Sequence, residues 1–299
     1  MINYKECPLC SSSDISLHLK CKDHFISGEE FGLYKCNTCG FIFTQNHPDE
    51  NSIAKYYQSE DYISHSDTSK GLLNKLYKLV RDLMLRRKTS HLLKATGLKT
   101  GKLLDIGCGT GYFAGAMKAA GWEVTGIEPD QKARDLAYSL FGFPVISPDQ
   151  ISSLPSESFD AITLWHVLEH FNDPVKYFSE ISRLLKPEGL CLVALPNSSS
   201  YDAVYYLKFW AAYDVPRHLW HYNPATFNRL LEKVGFRCFQ TRNLPFDVFY
   251  ISILSEKYKG SSLSFLKGVT RGKLYFLRSL FNRKKSSSII YFLKKSPGQ

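Results

Sequence analysis

No apolar run in the 299 residues approaches the roughly 20 that a membrane-spanning helix needs. The best run, residues 246–254, is short and contains Asp247. The start, Met-Ile-Asn-Tyr-Lys-Glu-Cys, has no apolar signal core, so export is not expected. Repeats and low-complexity segments are missing too. Nor is charge spread evenly in one sign. The net charge of +10 would suggest a nucleic-acid binder if it were uniform. Residues 255–299, however, hold eleven of the 38 basic residues and one of the 28 acids, which leaves 27 of each for residues 1–254. A histone-like protein is therefore excluded. At 44% hydrophobic and 22% charged, the chain is globular rather than disordered. Its length allows one large domain and a small one.

Four of the eight cysteines form two Cys-x-x-Cys pairs and the rest are scattered. Without a secretory signal, this pattern points to metal binding in a reducing cytoplasm, not to disulfides. Residues 1–45 read as a cysteine-bearing module and 46–100 as a linker with a helical cap. In that cap Leu72, Leu73, Leu76, Leu79, Val80 and Leu83 recur at three and four residues, opposite Lys70, Lys75, Lys78 and Arg81. From 101 the pattern alternates. Strands are expected at 102–106, 123–127, 159–165, 190–195, 236–243 and 288–294, with helices at 111–120, 132–141, 173–185 and from Pro224 to near Gly235. Such alternation predicts a doubly wound α/β sheet over 101–245 and 286–299, interrupted by a basic helical insertion at 246–285.

The segment Leu103-Leu104-Asp105-Ile106-Gly107-Cys108-Gly109-Thr110-Gly111 is a strand running through a glycine turn into a helix. Dinucleotide sites use G-x-G-x-x-G, with the pyrophosphate on the helix N-terminus. Here the spacing is G-x-G-x-G, and Asp105 ends the strand. A carboxylate there repels paired phosphates but suits a ligand with an ammonium and a sulfonium, as S-adenosylmethionine has. Glu128, in Gly126-Ile127-Glu128-Pro129-Asp130, follows Gly107 by 21 residues, the spacing at which an acid chelates ribose hydroxyls.

With LPSESFD (154–160), HVLEH (166–170) and LLKPEGLCLVALPN (184–197) in order behind these motifs, residues 101–245 resemble class I S-adenosylmethionine-dependent methyltransferases, particularly the ubiquinone/menaquinone-type small-molecule branch. The resemblance implies a Rossmann-like, seven-stranded sheet with an antiparallel last strand. It implies that Asp105 meets the methionine amino group, that Gly107, Cys108, Gly109 and Gly111 form the loop under the cofactor, and that Glu128 holds the ribose. Asp149 or Gln150 would edge the adenine. Trp165 and His166 would lie beside the methionine moiety and the methyl group.

Transfer from a sulfonium is an in-line displacement, so positioning carries most of the demand. A neutral hydroxyl or activated carbon acceptor also needs a base, and histidine has the right intrinsic pKa. The candidates are His166, His218 and His221. The last two lie in Tyr213-Asp214-Val215-Pro216-Arg217-His218-Leu219-Trp220-His221-Tyr222, a loop that borders the acceptor in this fold. His170 divides evenly between packing and chemistry. Arg217 either binds an acidic acceptor group or pairs with Asp214.

Cys7-Pro8-Leu9-Cys10 and Cys36-Asn37-Thr38-Cys39-Gly40 fit the two knuckles of a tetrahedral zinc site formed by Cys7, Cys10, Cys36 and Cys39. His18, Cys21 and His24 lie between and compete as ligands. Cys108, Cys191 and Cys238 read as small buried residues. A zinc ribbon before this fold is similar to that of sugar C-methyltransferases, whose tyrosine-rich segment has its counterpart in Tyr56-Tyr57-Gln58-Ser59-Glu60-Asp61-Tyr62; ribosomal RNA guanine methyltransferases with a cysteine-rich finger are the other group. No Asn-Pro-Pro-Tyr segment follows the expected strand at 159–165, which runs on into Leu164-Trp165-His166-Val167.

In the tail Leu266, Val269, Phe276, Leu277, Leu280 and Phe281 make an imperfect helical stripe among basic residues, weakened by Gly268 and Gly272. It suits an anionic membrane surface, RNA phosphates or a solvated lid. The expectation is a cytoplasmic methyltransferase of a small-molecule, sugar or lipid-linked acceptor, with peripheral contact at the inner membrane face through 257–285. The alternatives are an RNA methyltransferase and a non-catalytic zinc-ribbon scaffold.

Overall fold

The computed structural model describes residues 1–49, 52–57 and 72–296; of the tyrosine-rich segment, residues 58–62 lie outside these. Near the N-terminus β1 (Ile15–Lys22), β2 (Glu30–Cys36) and β3 (Ile42–Gln45) form an antiparallel meander. The main sheet contains β4 (Lys102–Ile106), β5 (Glu123–Ile127), β6 (Val145–Ile146), β7 (Phe159–Trp165) and β8 (Leu185–Pro196). After the short β9 (Trp220–His221) come β10 (Phe236–Asn243) and β11 (Ser288–Lys295). The helices are α1 (Leu72–Thr96), α2 (Tyr112–Ala119), α3 (Gln131–Phe141), α4 (Pro174–Leu184), α5 (Tyr201–Tyr206), α6 (Pro224–Lys233), α7 (Asp247–Tyr258) and α8 (Ser264–Phe281).

The main sheet has seven strands in the order β10-β11-β8-β7-β4-β5-β6. β4, β5, β6, β7 and β8 are parallel to one another, whereas β11 lies antiparallel to both β8 and β10. Side-chain alternation divides the core in two. Leu103, Leu192, Ile290 and Phe292 face α1 and α2, with Leu92, Phe113 and Met117. Leu104, Val193, Tyr291 and Leu293 face α4 and α6, with Phe178, Ile181, Phe227 and Leu230. Both faces are covered, as a parallel sheet requires. Helix starts are set locally. Asp130, Asp173 and Asn223 each cap a helix through a side-chain oxygen, and Pro174 and Pro224 stand at first turns.

The antiparallel strand follows from the insertion. β10 ends at the carboxyl edge of the sheet, and the α7–α8 hairpin returns the chain to that same edge, so β11 must run back. The hairpin exit is pinned there: Asn197 donates to the carbonyls of Lys284 (2.9 Å) and Ser286 (2.8 Å), and Lys285 donates to that of Ser199 (2.8 Å). Ligands of open α/β sheets bind at this edge.

Three details differ from the sequence reading. β8 begins five residues early, at Leu185, because Leu185 pairs with Phe159 of β7 before a shift in register leads to Leu190. β6 is a two-residue strand, too short for any periodicity. In α1, Leu79 and Leu83 are exposed and the buried side comes later, at Leu92 with Met84, Leu85 and Leu93. The meander is also not free-standing. β9 joins it as a fourth strand, pairing Ile42 with His221 and Phe43 with Trp220.

Candidate active site

β4 delivers Asp105 to the carboxyl edge, where it is buried and accepts a hydrogen bond from Thr163 Oγ1 (2.6 Å). Desolvation outweighs the Thr163 bond and the Lys88 charge and raises its pKa to about 7. Gly107, Gly109 and Gly111 all have positive φ. The Gly107 and Cys108 amides donate to the Ile127 carbonyl (2.7 and 3.0 Å), clasping the loop onto β5. A Cβ at Gly107 would strike Val167 at 2.4 Å, and one at Gly111 would meet Ala137 and Phe143. A Cβ at Gly109 would meet nothing within 4 Å, so its backbone faces open space. Glu128, at the end of β5, accepts from the amides of Gly109 (2.9 Å) and Asp130 (3.1 Å). Burial raises its pKa as well. The glycine loop thus lies between two desolvated carboxylates.

His166 follows β7 with φ +59°, an unusual backbone for a non-glycine residue. Its Nε2 lies 3.0 Å from Asp247 Oδ2, and its Nδ1 is 3.6 Å from Glu169 Oε1. Desolvation pulls the imidazole down, but Asp247 and Glu169 carry its pKa up to about 9. Desolvation likewise opposes the charges on Glu169 and Asp247, yet their histidine partners hold both below the usual carboxylate range. Lys88 of α1 places its Nζ 4.4 Å from the Trp165 ring centroid, and its charge acts on both Asp105 and Asp247. Trp165 packs edge-on against Phe113.

Beyond Glu169 the histidines diverge. His170 Nδ1 is 3.0 Å from the Tyr57 hydroxyl, and its ring meets His218 edge-on at 4.5 Å. Desolvation, then His218, lowers its pKa to about 4. His218 Nδ1 donates to the Ala212 carbonyl (2.9 Å), while Nε2 lies 3.9 Å from Asp214. Glu169, His170 and His218 bring a carboxylate oxygen and two ring nitrogens within 4.8 Å of one another. His221 is buried in β9 with Nε2 3.0 Å from Thr44 Oγ1. That hydroxyl gives its proton to the His218 carbonyl (2.7 Å), so the His221 nitrogen carries the hydrogen. Desolvation pushes its pKa well down, and the ring serves as a strut. Arg217 is also internal. It pairs with Asp214 (2.6 Å), with Asp23 of the N-terminal module (3.0 Å) and with the Tyr56 carbonyl (3.0 Å).

The family model described as "Methyltransferase domain" matches residues 77–241, more than half of the chain. The chain belongs to that methyltransferase family. It is 30% identical over 152 residues to the ubiquinone biosynthesis O-methyltransferase of Thiobacillus denitrificans, covering 45% of this chain and 63% of that one. With the protein of the same description from Actinobacillus pleuropneumoniae serotype 7 it shares 33% over 115 residues, 35% of this chain and 49% of the relative. The chain thus spans about half the length of the curated relatives it matches. Among solved structures, the 1,6-didemethyltoxoflavin-N1-methyltransferase of Burkholderia thailandensis superposes with a TM-score of 0.52 at 13% identity, covering 92% of this chain and all of that one. The phosphoethanolamine N-methyltransferase 2 of Haemonchus contortus gives 0.51 at 18%, covering 86% and 62%. These likenesses show the fold, a class I methyltransferase sheet.

The donor set of this member of the methyltransferase family suits S-adenosylmethionine: an ammonium relieves a buried carboxylate such as Asp105, and hydroxyls can donate to Glu128. Asp149 and Gln150 are exposed in the turn 148–153. There Ser147 Oγ bonds Asp149, and the Ser147 amide donates to Gln150 Oε1 (3.1 Å). Far along the sequence from these, Cys7, Cys10, Cys36 and Cys39 converge, with all four Sγ atoms within 4.8 Å and the pairs Cys7–Cys39 and Cys10–Cys36 at 3.6 Å. Tetrahedral Zn–S bonds of about 2.3 Å imply sulfur separations of about 3.8 Å. The two knuckles match. Ser11 and Gly40 both have positive φ and both donate to the carbonyl of their first cysteine at 2.8 Å. Cys21 is buried in another cluster and His24 stacks on Tyr258, so neither belongs to the sulfur set. Sequence reasoning missed Lys88, Glu169 and Asp247. Lys88 sits in a helix full of bases, and Asp247 lies 81 residues from His166 in what reads as an accessory insertion. Glu169 was within reach, as the one acid of HVLEH.

Proposed function

We propose that the chain transfers a methyl group from S-adenosylmethionine to a small-molecule acceptor of quinone-like, sugar or lipid-linked type. The observation that carries this reading is the pair of desolvated carboxylates, Asp105 and Glu128, flanking the open Gly109 backbone, with the charge of Lys88 acting on both Asp105 and Asp247, the partner of His166. The bound cofactor supplies an electrophilic methyl on a sulfonium. Asp105 holds its amino group, Glu128 its ribose hydroxyls, and Gly107 and Gly109 keep the backbone low beneath it. Asp149 or Gln150 borders the adenine, with Trp165 on the methionine side. Curated relatives named for O-methylation in ubiquinone biosynthesis support a hydroxyl acceptor.

His166 is the base we favour. Its Nε2 hydrogen goes to Asp247, which leaves Nδ1 to take the acceptor's proton, and Glu169 and Asp247 stabilise the imidazolium that forms. His218 lies beside Glu169 on the acceptor side. The four cysteines hold zinc in a structural role. The basic hairpin adds peripheral contact with an anionic membrane at its cytoplasmic face.

Methyl-labelled cofactor, given with separated lipid, glycan, RNA, protein and small-metabolite fractions of a cell extract, tests the reading. Label is expected in the lipid, glycan or small-metabolite fraction. Label confined to RNA or protein overturns the small-molecule acceptor.

A further inference from the structure

Helix α8 is built inside out. An ordinary surface helix turns its apolar stripe toward the core. Here the buried positions are Gly268, Gly272, Tyr275 and Ser279, spaced by four, three and four residues and packed on α7. The glycines set the distance: a Cβ at Gly268 would lie 2.4 Å from Ile253 Cα, and one at Gly272 would be 2.9 Å from the Phe249 ring. Apart from Tyr275 and Phe276, which meets Phe249 of α7, most of the large apolar residues point the other way. Leu266 is 61% exposed, Leu277 45%, Leu280 55% and Phe281 93%. At about 100° per residue, these four and Leu274 fall within an arc of about 120° opposite the glycines. Lys273 lies within the arc, and Lys267, Arg278 and Arg271 follow along one side. Arg283 and Lys284 continue the basic surface beyond the helix. Residues 257–299 contain eleven bases and no acid.

Single exposed apolar residues need no explanation, but a continuous ridge rimmed by one sign of charge marks a docking surface. We propose that the outer face of α8 docks on an anionic lipid bilayer, lying in the interface plane. Leucine and phenylalanine side chains enter the acyl boundary while lysine and arginine heads reach the lipid phosphates. Nucleic acid fits worse, because four leucines and Phe281 make up most of the surface and give phosphate no donor, with Lys273 the one base among them. α7 joins this surface to the chemistry: it is packed on α8 and starts with Asp247, the partner of His166. Docking therefore sets the site beside the membrane, where a lipid-borne acceptor is presented. This deepens the reading of the acceptor given above and rests on it for its purpose, though not for the binding itself.

Co-sedimentation of the full chain with vesicles of phosphatidylcholine alone, and of phosphatidylcholine and phosphatidylglycerol in equal parts, tests the proposal. Wild type is expected to pellet with the anionic vesicles and stay in solution with the neutral ones. The triple variant Leu277→Ser, Leu280→Ser, Phe281→Ser, altered only on exposed side chains, should lose at least about tenfold in vesicle affinity. Its thermal midpoint and its affinity for S-adenosylmethionine by calorimetry should not change. A wild type that stays in solution with anionic vesicles at low salt overturns the proposal. So does a triple variant that pellets like wild type, or salt-sensitive binding of RNA that the same three substitutions remove. Vesicle binding is read without turnover. Failure of the methyl-transfer reading would therefore leave this result intact, and failure here would leave methyl transfer to a soluble acceptor standing.

Discussion

His166 sits where backbone strain, two carboxylates and the carboxyl edge of the sheet meet. Its left-handed φ aims the imidazole between Asp247 and Glu169, which together overcome desolvation and bring the pKa to about 9. A base must be neutral to accept a proton, so the rate of methyl transfer should climb with pH until about 9. Asp247→Asn removes the nearer charge. The rising limb of the pH–rate profile should then shift to lower pH, with a lower plateau and an unchanged KM for the cofactor. A limb that stays at the same pH would remove Asp247 from this role. The stability linkage has a definite sign. His166 has a raised folded pKa, so its contribution is complete below the ordinary histidine value and lost as pH rises through about 9. The depressed Asp247 contributes above the ordinary carboxylate value and loses its share as pH falls. The place of Asp105 at the end of β4 was legible at this scale because it lies within six residues of the glycines of the turn that follows. The Asp247–His166 contact was not, since nothing local links β7 to the insertion.

At the scale of the element, β4, β5, β7 and β10 match their expected ranges and α4 and α6 begin at their expected prolines. Their boundaries are set by local turn chemistry and by apolar runs buried on two faces, so they can be read along the chain. The glycines of α8 read the other way. Helix propensity marks Gly268 as a weak point, and on propensity alone Gly268→Ala gains about 1 kcal/mol. In the structure the glycine is the contact: the added methyl strikes the α7 backbone at 2.4 Å. Gly268→Ala should therefore lose about 1–3 kcal/mol, the usual range for overpacking, as read from the denaturant midpoint at unchanged m-value. A stabilised variant would show that the two helices are free to part. The same packing explains why most of the apolar stripe of α8 is outside: the close crossing uses its glycines, so Leu266, Leu277, Leu280 and Phe281 stay exposed among the described residues.

For the whole molecule, the N-terminal module is welded to the body that carries the seven-stranded sheet. β3 pairs with β9, the Leu219 amide donates to the Glu169 carbonyl (2.8 Å), and buried Arg217 joins Asp23 to Asp214. The loop 213–222, which carries His218, is thereby held between the cysteine-bearing sheet and the turn after β7. Stripping metal with a chelator should lower the thermal midpoint of the entire chain in a single transition and depress methyl transfer, with zinc readdition restoring both. Purified protein with less than half an equivalent of zinc, or a midpoint indifferent to chelation, would refute this. Reading the chain alone located the glycine turn after β4, the four-cysteine set and the alternation that makes the sheet. Each depends on spacing within a short segment, and steric and hydrogen-bonding rules act there without help from the rest of the fold. Only the folded chain decided the rest: that Arg217 and His221 are struts, that Asp247 reaches His166 across 81 residues, and that α8 turns its leucines outward. These depend on which distant segments share a surface, and that is settled by packing and desolvation over the whole molecule, which no local pattern encodes.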